Sequence, residues 1–422
     1  MPGRGYYLAA TLARFADEMV AFTLVLLVLD RTDSPTLAGI TGAAYALPAI
    51  VTGPLLGAWL DRTSRRRSAL AINQATLATV MLGLLAVVGH SAHWIPPVLA
   101  AVAGATLPLV SGGFTSMLPS LFRPERLARA NAFESVSFSA ATIAGPATAA
   151  TVAAVVSVDA AVVVIVVAAA CSIVAISRLP ALPPVGGGGE SFFSSVVGGL
   201  VHLARTPQLR ASTVTTTLLM GFTGMLLIAL PLHMVELGMP KSAAGYLWTA
   251  IEIGSVTTAL LLSRLQSRWR PEYVVMLSVA AYGLVLLTWS LATTFAVLVL
   301  LAVAAGLAEG PALPAMFAAR QQYSPPYLQG RVSTTAASLR VGTSALGQAT
   351  AGVLVPAVGT RATLAAVGLG LAAAALTGRL AAWPPGRHPP TATLRPPPSG
   401  RHRPTATLRP RPSEGSTPRR VG

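Results

Sequence analysis

Apolar runs of about twenty residues recur from Tyr6 almost to Trp383, each parted from the next by a short cluster of Arg, Pro, Gly or Ser. A helix needs roughly 20 apolar residues to cross the ~30 Å hydrocarbon layer of a bilayer. About twelve runs meet that length: 6–29, 37–60, 68–88, 94–118, 135–156, 160–179, 212–235, 242–262, 272–292, 295–315, 333–355 and 363–383. Only short turns divide 156 from 160 and 292 from 295. Barrel strands would be about ten residues long and alternate polar with apolar, whereas 160–170 is unbroken Ala, Val and Ile. A helix satisfies its backbone within its own segment, as lipid demands. The fold class expected is therefore an all-α membrane protein of about twelve transmembrane helices.

Charge explains why no soluble alternative serves. Of 422 residues, 53% are hydrophobic and 10% charged, against roughly 25% charged in a globular protein. The net charge of +16 sits in small Arg groups at the ends of runs and in the last stretch of chain, so the partner is the bilayer and not nucleic acid. Strong cations cluster after the even-numbered runs: Arg62 to Arg67, then Arg123, Arg126 and Arg129, then Arg178, Arg205 and Arg210, then Arg264, Arg268 and Arg270, then Arg320 and Arg331. After odd-numbered runs stand only Arg31, Lys241 and Arg361. The positive-inside rule then puts both termini in the cytoplasm of a multi-pass protein of the inner (plasma) membrane. The first run carries Arg14, Asp17 and Glu18 and reads as a span rather than a cleaved leader. Cys171 is the single cysteine and reads as a packing residue. His90 and His93 have no ligand at metal spacing, and no phosphate loop is present. No metal and no cofactor are expected, and energy must come from an ion gradient or from the substrate's own.

The chain divides into a first six-helix half (1–179), a linker (180–210) with the flexible run Gly186 to Gly189 and a surface helix over 191–204, a second half (211–383), and a tail (384–422). The tail repeats GRHPPTATLRPPPS as GRHRPTATLRPRPS, a composition unable to build a core and expected to be disordered. Displacing the chain by 202 positions carries Arg62 onto Arg264, Arg66 onto Arg268, Gly104 onto Gly306, Pro124 onto Pro326, Arg129 onto Arg331 and Gly145 onto Gly347. The halves thus read as two six-helix pseudo-repeats, an arrangement of transporters that bind substrate between the repeats.

The most specific stretch is Gly57-Ala-Trp-Leu-Asp61-Arg62-Thr-Ser64-Arg65-Arg66-Arg67, between the second and third runs. It resembles the cytoplasmic signature of the major facilitator superfamily, Gly-x-x-x-Asp-Arg-x-Gly-Arg-Arg, with Ser64 in place of Gly. The resemblance covers roughly 6–383. A second match, Pro124-Glu-Arg-Leu-Ala-Arg129-Ala-Asn131-Ala with Gly145-Pro146 in the fifth run, is similar to the drug-efflux and macrolide-exporter-like branch; its counterpart is Gly330-Arg331-Val332 with Gly347. The resemblance implies the major facilitator fold, a small-molecule substrate and alternating access. Gly57 lets helices approach closely. Asp61, at a helix C-terminus where a carboxylate needs a partner, would pair with Arg62, Arg65 or Arg66, or across the seam, in one state of the cycle. Gly145-Pro146 would kink and pack a helix. Many proton-coupled relatives carry an Arg in the fourth run; this one does not.

Ionisable groups inside a span mark functional positions by default. Arg14, Asp17 and Glu18 lie at i, i+3 and i+4, so Arg14 is expected to reach both acids. Glu252 lies mid-way along the eighth run and Glu309 deep in the tenth. Arg340, two turns into the eleventh, would pair with Glu309 or extend to the cytoplasm. These six are the proton-coupling candidates, while Glu134 and Glu236 read as solvated helix ends. Tyr45, Trp248, Tyr282 and Trp289 are aromatic candidates for an apolar cavity wall. The function expected is proton-coupled export of an apolar or amphipathic small molecule by a monomer. Uptake of a metabolite is the alternative, and a polytopic enzyme or a sensor the different-class one; no nucleophile with a base favours an enzyme. In a Cys171-free background, single cysteines near Arg66, Arg129 and Arg268 should resist an external impermeant thiol reagent in intact cells, and cysteines near Asp33 and Lys241 should react. Labelling near Arg66 from outside would reverse the orientation.

Overall fold

The structure, a computed structural model, describes residues 2–63, 65–179, 192–262 and 268–382. The tail expected to be disordered lies outside the described residues, as do Ser64 and the Gly186 to Gly189 run. Among the described residues there are helices and no strands: α1 Pro2–Thr32, α2 Pro35–Ala46, α3 Ala49–Arg62, α4 Arg66–Val87, α5 Ile95–Thr106, α6 Pro108–Leu121, α7 Pro124–Val155, α8 Val158–Ser177, α9 Phe192–Arg205, α10 Pro207–Glu236, α11 Ala244–Leu261, α12 Pro271–Trp289, α13 Phe295–Glu309, α14 Ala312–Tyr323, α15 Pro326–Val358 and α16 Thr360–Ala381. A single 3-10 turn, Lys241–Ala243, precedes α11.

Nine stretches of the described residues are long and apolar enough to cross a membrane. Three further crossings, α1, the α5–α6 pair and α11, complete the twelve read from the sequence. Two of these carry ionisable residues that lower their apolarity, Arg14, Asp17 and Glu18 in α1 and Glu252 in α11. The protein is therefore a multi-pass membrane protein. α9 is the expected surface helix; its Leu203 packs with Leu209, Val332 and Ala336.

Helix starts use two devices. On the Arg-rich side, α7, α10, α12 and α15 each begin with Pro in the first turn, where a missing N–H costs nothing. On the opposite side, hydroxyls cap: Ser34 accepts from Leu37 N at 3.2 Å, Ser157 from Ala160 N at 3.0 Å and Thr294 from Val297 N at 3.4 Å. α7 and α15 extend well beyond the spans read from hydropathy, because Pro124 and Pro326 start them in polar sequence outside the apolar run.

Three crossings that hydropathy reads as continuous are each two helices, divided at Leu47-Pro48, Leu107-Pro108 and Gly310-Pro311. Proline has no N–H and its ring displaces the carbonyl one turn back. At the middle break the loss is made good by a neighbour: Asn73 Nδ2 of α4 donates to the Thr106 carbonyl at 2.9 Å and to Thr106 Oγ1 at 3.0 Å, and Gln74 Nε2 donates to Asn73 Oδ1 at 3.0 Å.

The halves meet along α2 and α3 against α15, and along α7 against α11. Within each half, glycines set the helix spacing. A Cβ on Gly104 of α5 would strike the Tyr45 carbonyl, and one on Gly306 of α13 the Ile251 carbonyl. These two glycines are the pair superimposed by the internal repeat, so both halves use one packing device. Gly306→Ala should destabilise the solubilised protein by about 1–3 kcal/mol through overpacking. Gly83→Ala, whose new methyl meets only Leu99 Cδ1 at 3.6 Å, should leave the thermal unfolding midpoint unlowered or raise it slightly, since Ala favours the helix over Gly.

Candidate functional site

α1 is the central element. It is buried over most of its length, with Phe22 and the run Leu24 to Leu29 at 2% exposure or less. Among the positions in its middle that keep partial solvent exposure are two acids, Asp17 and Glu18. Glu252 in α11 and Glu309 at the end of α13 keep it too. Glu18 and Glu252, one from each half, are close enough to repel one another. Glu252 acts on Glu309 in turn, and Glu18 acts on Asp17. Tyr45 of α2 faces the Asp17–Glu18 end of this group, and Tyr282 of α12 the Glu252–Glu309 end. Acids placed in spans α1, α11 and α13 by separate stretches of sequence thus lie near enough to act on one another, each with partial exposure.

Arg14 acts on both Asp17 and Glu18, as its spacing suggests, but its bonded partner is a different acid. Its guanidinium donates to Glu134 Oε1 of α7, and both side chains are buried. It also lies over the rings of Phe138 at 5.6 Å and Phe114 at 6.0 Å. The reading of Glu134 as a solvated helix end is corrected: α7 begins ten residues earlier, at Pro124, so Glu134 lies inside the bundle. The partner is 120 residues away in the chain, beyond the reach of a helix-spacing argument. Tyr6 Oη to Phe114 O at 2.9 Å and Tyr7 Oη to Ala130 O at 3.0 Å hold the same three crossings together.

Arg340 likewise has another partner than the one proposed from sequence. Its Nη1 donates to Met316 Sδ at 3.3 Å, and no ion pair joins it to Glu309 among the described residues. Arg320, buried at 4% exposure, donates from Nη2 to the same sulfur at 3.2 Å.

Of the Asp61 motif, α3 runs to Arg62, but the side chains of Gly57, Asp61 and Arg62 lie outside the described residues, as do those of Arg129 and Asn131. Arg65 is exposed. Arg66 is buried, and its Nε donates to the Leu60 carbonyl at 2.9 Å, closing an orphan acceptor at the end of α3. Arg67 Nη1 donates to the Leu179 carbonyl at 2.7 Å. The cluster therefore binds helix ends as well as marking sidedness. Gly145 sits against the backbone of Glu18 and Met19, and Gly245 of α11 against Pro146 and Ala150. The Gly145-Pro146 pair thus lets α7 touch both the acidic segment of α1 and the other half. Trp289 is fully buried and Trp248 half-buried, each with an indole N–H lacking a partner; Cys171 is exposed on the bundle's exterior rather than packed.

The end opposite the Arg-rich side is closed between the halves. Lys241 Nζ donates to Asp33 Oδ1 and to the Leu29 carbonyl, both at 2.8 Å. Thr36 Oγ1 donates to the Gly352 carbonyl at 2.9 Å, and Tyr246 Oη lies 3.0 Å from Thr151 Oγ1. Gly39 and Gly352 face one another so closely that a Cβ on either would meet the other's backbone. The hydrogen bond from Lys241 holds the Asp33 carboxyl below its ordinary range. A depressed carboxylate pKa keeps the pair intact through neutral and mildly acid pH and releases it only as pH falls through the lowered value.

A family model described as Major Facilitator Superfamily matches residues 6–224 and 212–414. An uncharacterized MFS-type transporter, y4rN of Sinorhizobium fredii, is 29% identical over 357 residues, covering 82% of this chain and 87% of that one. The multidrug efflux pump Tap of Mycolicibacterium fortuitum is 27% identical over 359 residues, covering 81% and 86%. Among solved structures, the nucleoside transporter NupG superposes with a TM-score of 0.77 at 12% identity over 90% of this chain and 100% of that one. A bacterial homolog of the human lysosomal transporter Spinster, inward-facing and unoccupied, gives 0.67 at 14% identity over 90% and 96%. At such identities the superpositions speak for the fold alone.

The buried Arg14–Glu134 pair carries a stability prediction. Glu134→Leu alone strands a buried cation and should cost about 3–5 kcal/mol. Arg14→Met with Glu134→Leu should recover most of that loss, measured as unfolding midpoints of purified protein. Equal midpoints for the single and double variants would deny the pair its structural role.

Proposed function

Because the chain belongs to the Major Facilitator Superfamily and is a membrane transporter rather than an enzyme, we propose that it exports an apolar or amphipathic small molecule, driven by proton antiport. The observation that carries this reading is the meeting of Glu18 and Glu252 across the seam between the halves. Like charges in a low-dielectric interior repel strongly. A proton bound between them removes that repulsion when the halves close on this level, and its release accompanies their separation. Asp17 and Glu309 extend the acidic group on either side and supply further places for the proton to rest. The spans are mostly Ala, Val and Leu, which suits an apolar cargo better than a sugar needing many convergent polar groups. Similarity to the Tap efflux pump favours export.

In this reading the Arg-rich side is cytoplasmic and both termini lie there, in the cell's inner membrane, and one chain is the working unit. The linker helix α9 and the Asp61 motif belong to the cytoplasmic gate: Asp61 holds the seam in one state through Arg62, Arg65, Arg66 or the second half. The Lys241–Asp33 pair and the Gly39–Gly352 contact form the outer gate, and both must part for the cavity to open outward.

The test uses proteoliposomes with an imposed pH gradient and a dye substrate of the parent protein. Glu252→Gln, and separately Asp17→Asn with Glu18→Gln, should abolish concentration of the dye against its gradient, while downhill exchange survives in at least one of them. Glu309→Gln should weaken coupling less, because Glu309 reaches Glu18 only through Glu252. Uphill transport at parental rates in both of the first two variants, still collapsed by a protonophore, would remove these acids from the coupling mechanism.

A further inference from the structure

On the Arg-rich side of the carboxylates, the second half gathers charge of the opposite sign. Arg320 of α14 and Arg340 of α15 direct their guanidiniums at a single atom, Met316 Sδ, at 3.2 and 3.3 Å. The two cations are near enough to act on one another. Among the described residues neither forms an ion pair, and a thioether is a weak acceptor. Most of the donor capacity of both forks is therefore unengaged, and Arg340 Nε is buried with no partner. In the first half Arg14 differs in having a carboxylate partner, Glu134, while Arg14 and Arg320 both lie over aromatic rings, Arg320 over Phe317 at 5.8 Å. The position that the internal repeat superimposes on Glu134 is Ala336, so the second half lacks that acid.

The level of this pair in the bundle is informative. Arg340 is flanked on α15 by Ser338, whose Oγ donates to the Ile50 carbonyl of α3 at 3.2 Å, and by Gly342, which also faces Ile50. Ser338 and Gly342 stand two residues to either side, so the face of α15 that meets the first half is the one opposite Arg340; Arg340 turns instead towards Met316 and retains partial solvent exposure. Met316 is seven residues beyond Glu309 on the same crossing, a rise of about 10 Å. The second half thus carries carboxylates and guanidiniums at two levels, separated by about the length of one small amphipathic molecule.

We propose that Arg320 and Arg340 form an anion subsite that receives a carboxylate, sulfonate or phosphate group of the transported molecule, so that the cargo is an amphipathic anion or zwitterion. Two guanidiniums converging on one point suit an oxyanion, whose oxygens accept from both forks in charge-assisted hydrogen bonds. Met316 supplies a polarisable apolar contact beside the anion. The inference rests on reading the chain as a transporter of amphipathic small molecules. It is tested by equilibrium binding, so it fails separately from proton coupling.

The experiment measures fluorescence anisotropy of 5-carboxyfluorescein, an anionic dye, with the full chain in phosphatidylcholine nanodiscs; rhodamine 6G is the cationic counterpart. The parent should bind 5-carboxyfluorescein, and Arg320→Gln or Arg340→Gln should each weaken it by about tenfold or more, the loss expected for a charge-assisted hydrogen bond. Arg→Lys at either position should recover part of the affinity, since charge returns without the fork. Binding of rhodamine 6G should not fall in any variant. The same measurement in discs containing phosphatidylglycerol separates two sources of the anionic group. Unchanged dye affinity supports a cargo subsite, whereas competitive loss assigns the arginines to a lipid phosphate and overturns it. Absence of 5-carboxyfluorescein binding by the folded parent, or equal binding by parent and glutamine variants, also overturns the proposal. Should a glutamine variant fail to fold, the lysine variants decide: a several-fold weakening upholds the subsite, and parental affinity overturns it.

Discussion

A peptide group inside hydrocarbon has no water to bond with, and the rest of the structure is arranged around that constraint. It makes every crossing helical and turns each interruption into a problem that a neighbouring side chain must solve. Pro108 interrupts one crossing, and the Thr106 carbonyl is met by Asn73 from the adjacent helix. α3 ends within the Arg-rich side, and Arg66 reaches back to the Leu60 carbonyl. Lys241 spends one of its hydrogens on the Leu29 carbonyl near the end of α1. Polar side chains that look like isolated anomalies in an apolar sequence are in these cases the missing partners of particular backbone atoms.

Charge follows the same economy with a different outcome in each half. A cation placed among apolar helices requires a counter-charge, and Arg14 has one in Glu134. The acids at mid-depth are not neutralised in that way. Glu18 and Glu252 confront each other, with Glu309 next to Glu252. A bundle selected for stability alone would pair or remove such groups. Keeping them unpaired at the meeting of two bodies makes the closed arrangement depend on what binds there, which is how a ligand or proton acquires leverage over a conformational equilibrium.

Much of the fold was legible in the sequence because the rules that set it are local. Span length, the alternation of Arg between successive loops and the internal displacement that superimposes Gly104 on Gly306 all give the twelve crossings and their sidedness without reference to tertiary contacts. The pairing of buried charges was not legible. Helix spacing joins Arg14 to Asp17 and Glu18, three and four residues on, while the bundle joins it to an acid on the fifth crossing. The same limit applies to Arg340, whose contact with Met316 depends on how α14 and α15 are rotated against each other. Breaks within crossings were hidden for another reason: hydropathy averages over Pro48, Pro108 and Pro311 and registers no interruption. The acids themselves were found, because an ionisable residue within an apolar run is conspicuous whatever it faces.

The two halves share their glycines and differ in their charges, and that division of labour follows from what each must do. Gly104 and Gly306 fix how closely helices approach, a requirement that is the same in both repeats, and each lies against a backbone carbonyl of its own half. A symmetric distribution of charge would make the cavity the same from either wall and give a bound molecule no preferred direction. Here the first half contributes Asp17 and Glu18 and seals its arginine in an ion pair. The second contributes Glu252 and Glu309 at one level and Arg320 with Arg340 at another. In the proposed mechanism this difference in charge between levels would orient a molecule with a charged group as the halves open at alternate ends, while the duplicated packing would let the halves move as equivalent bodies.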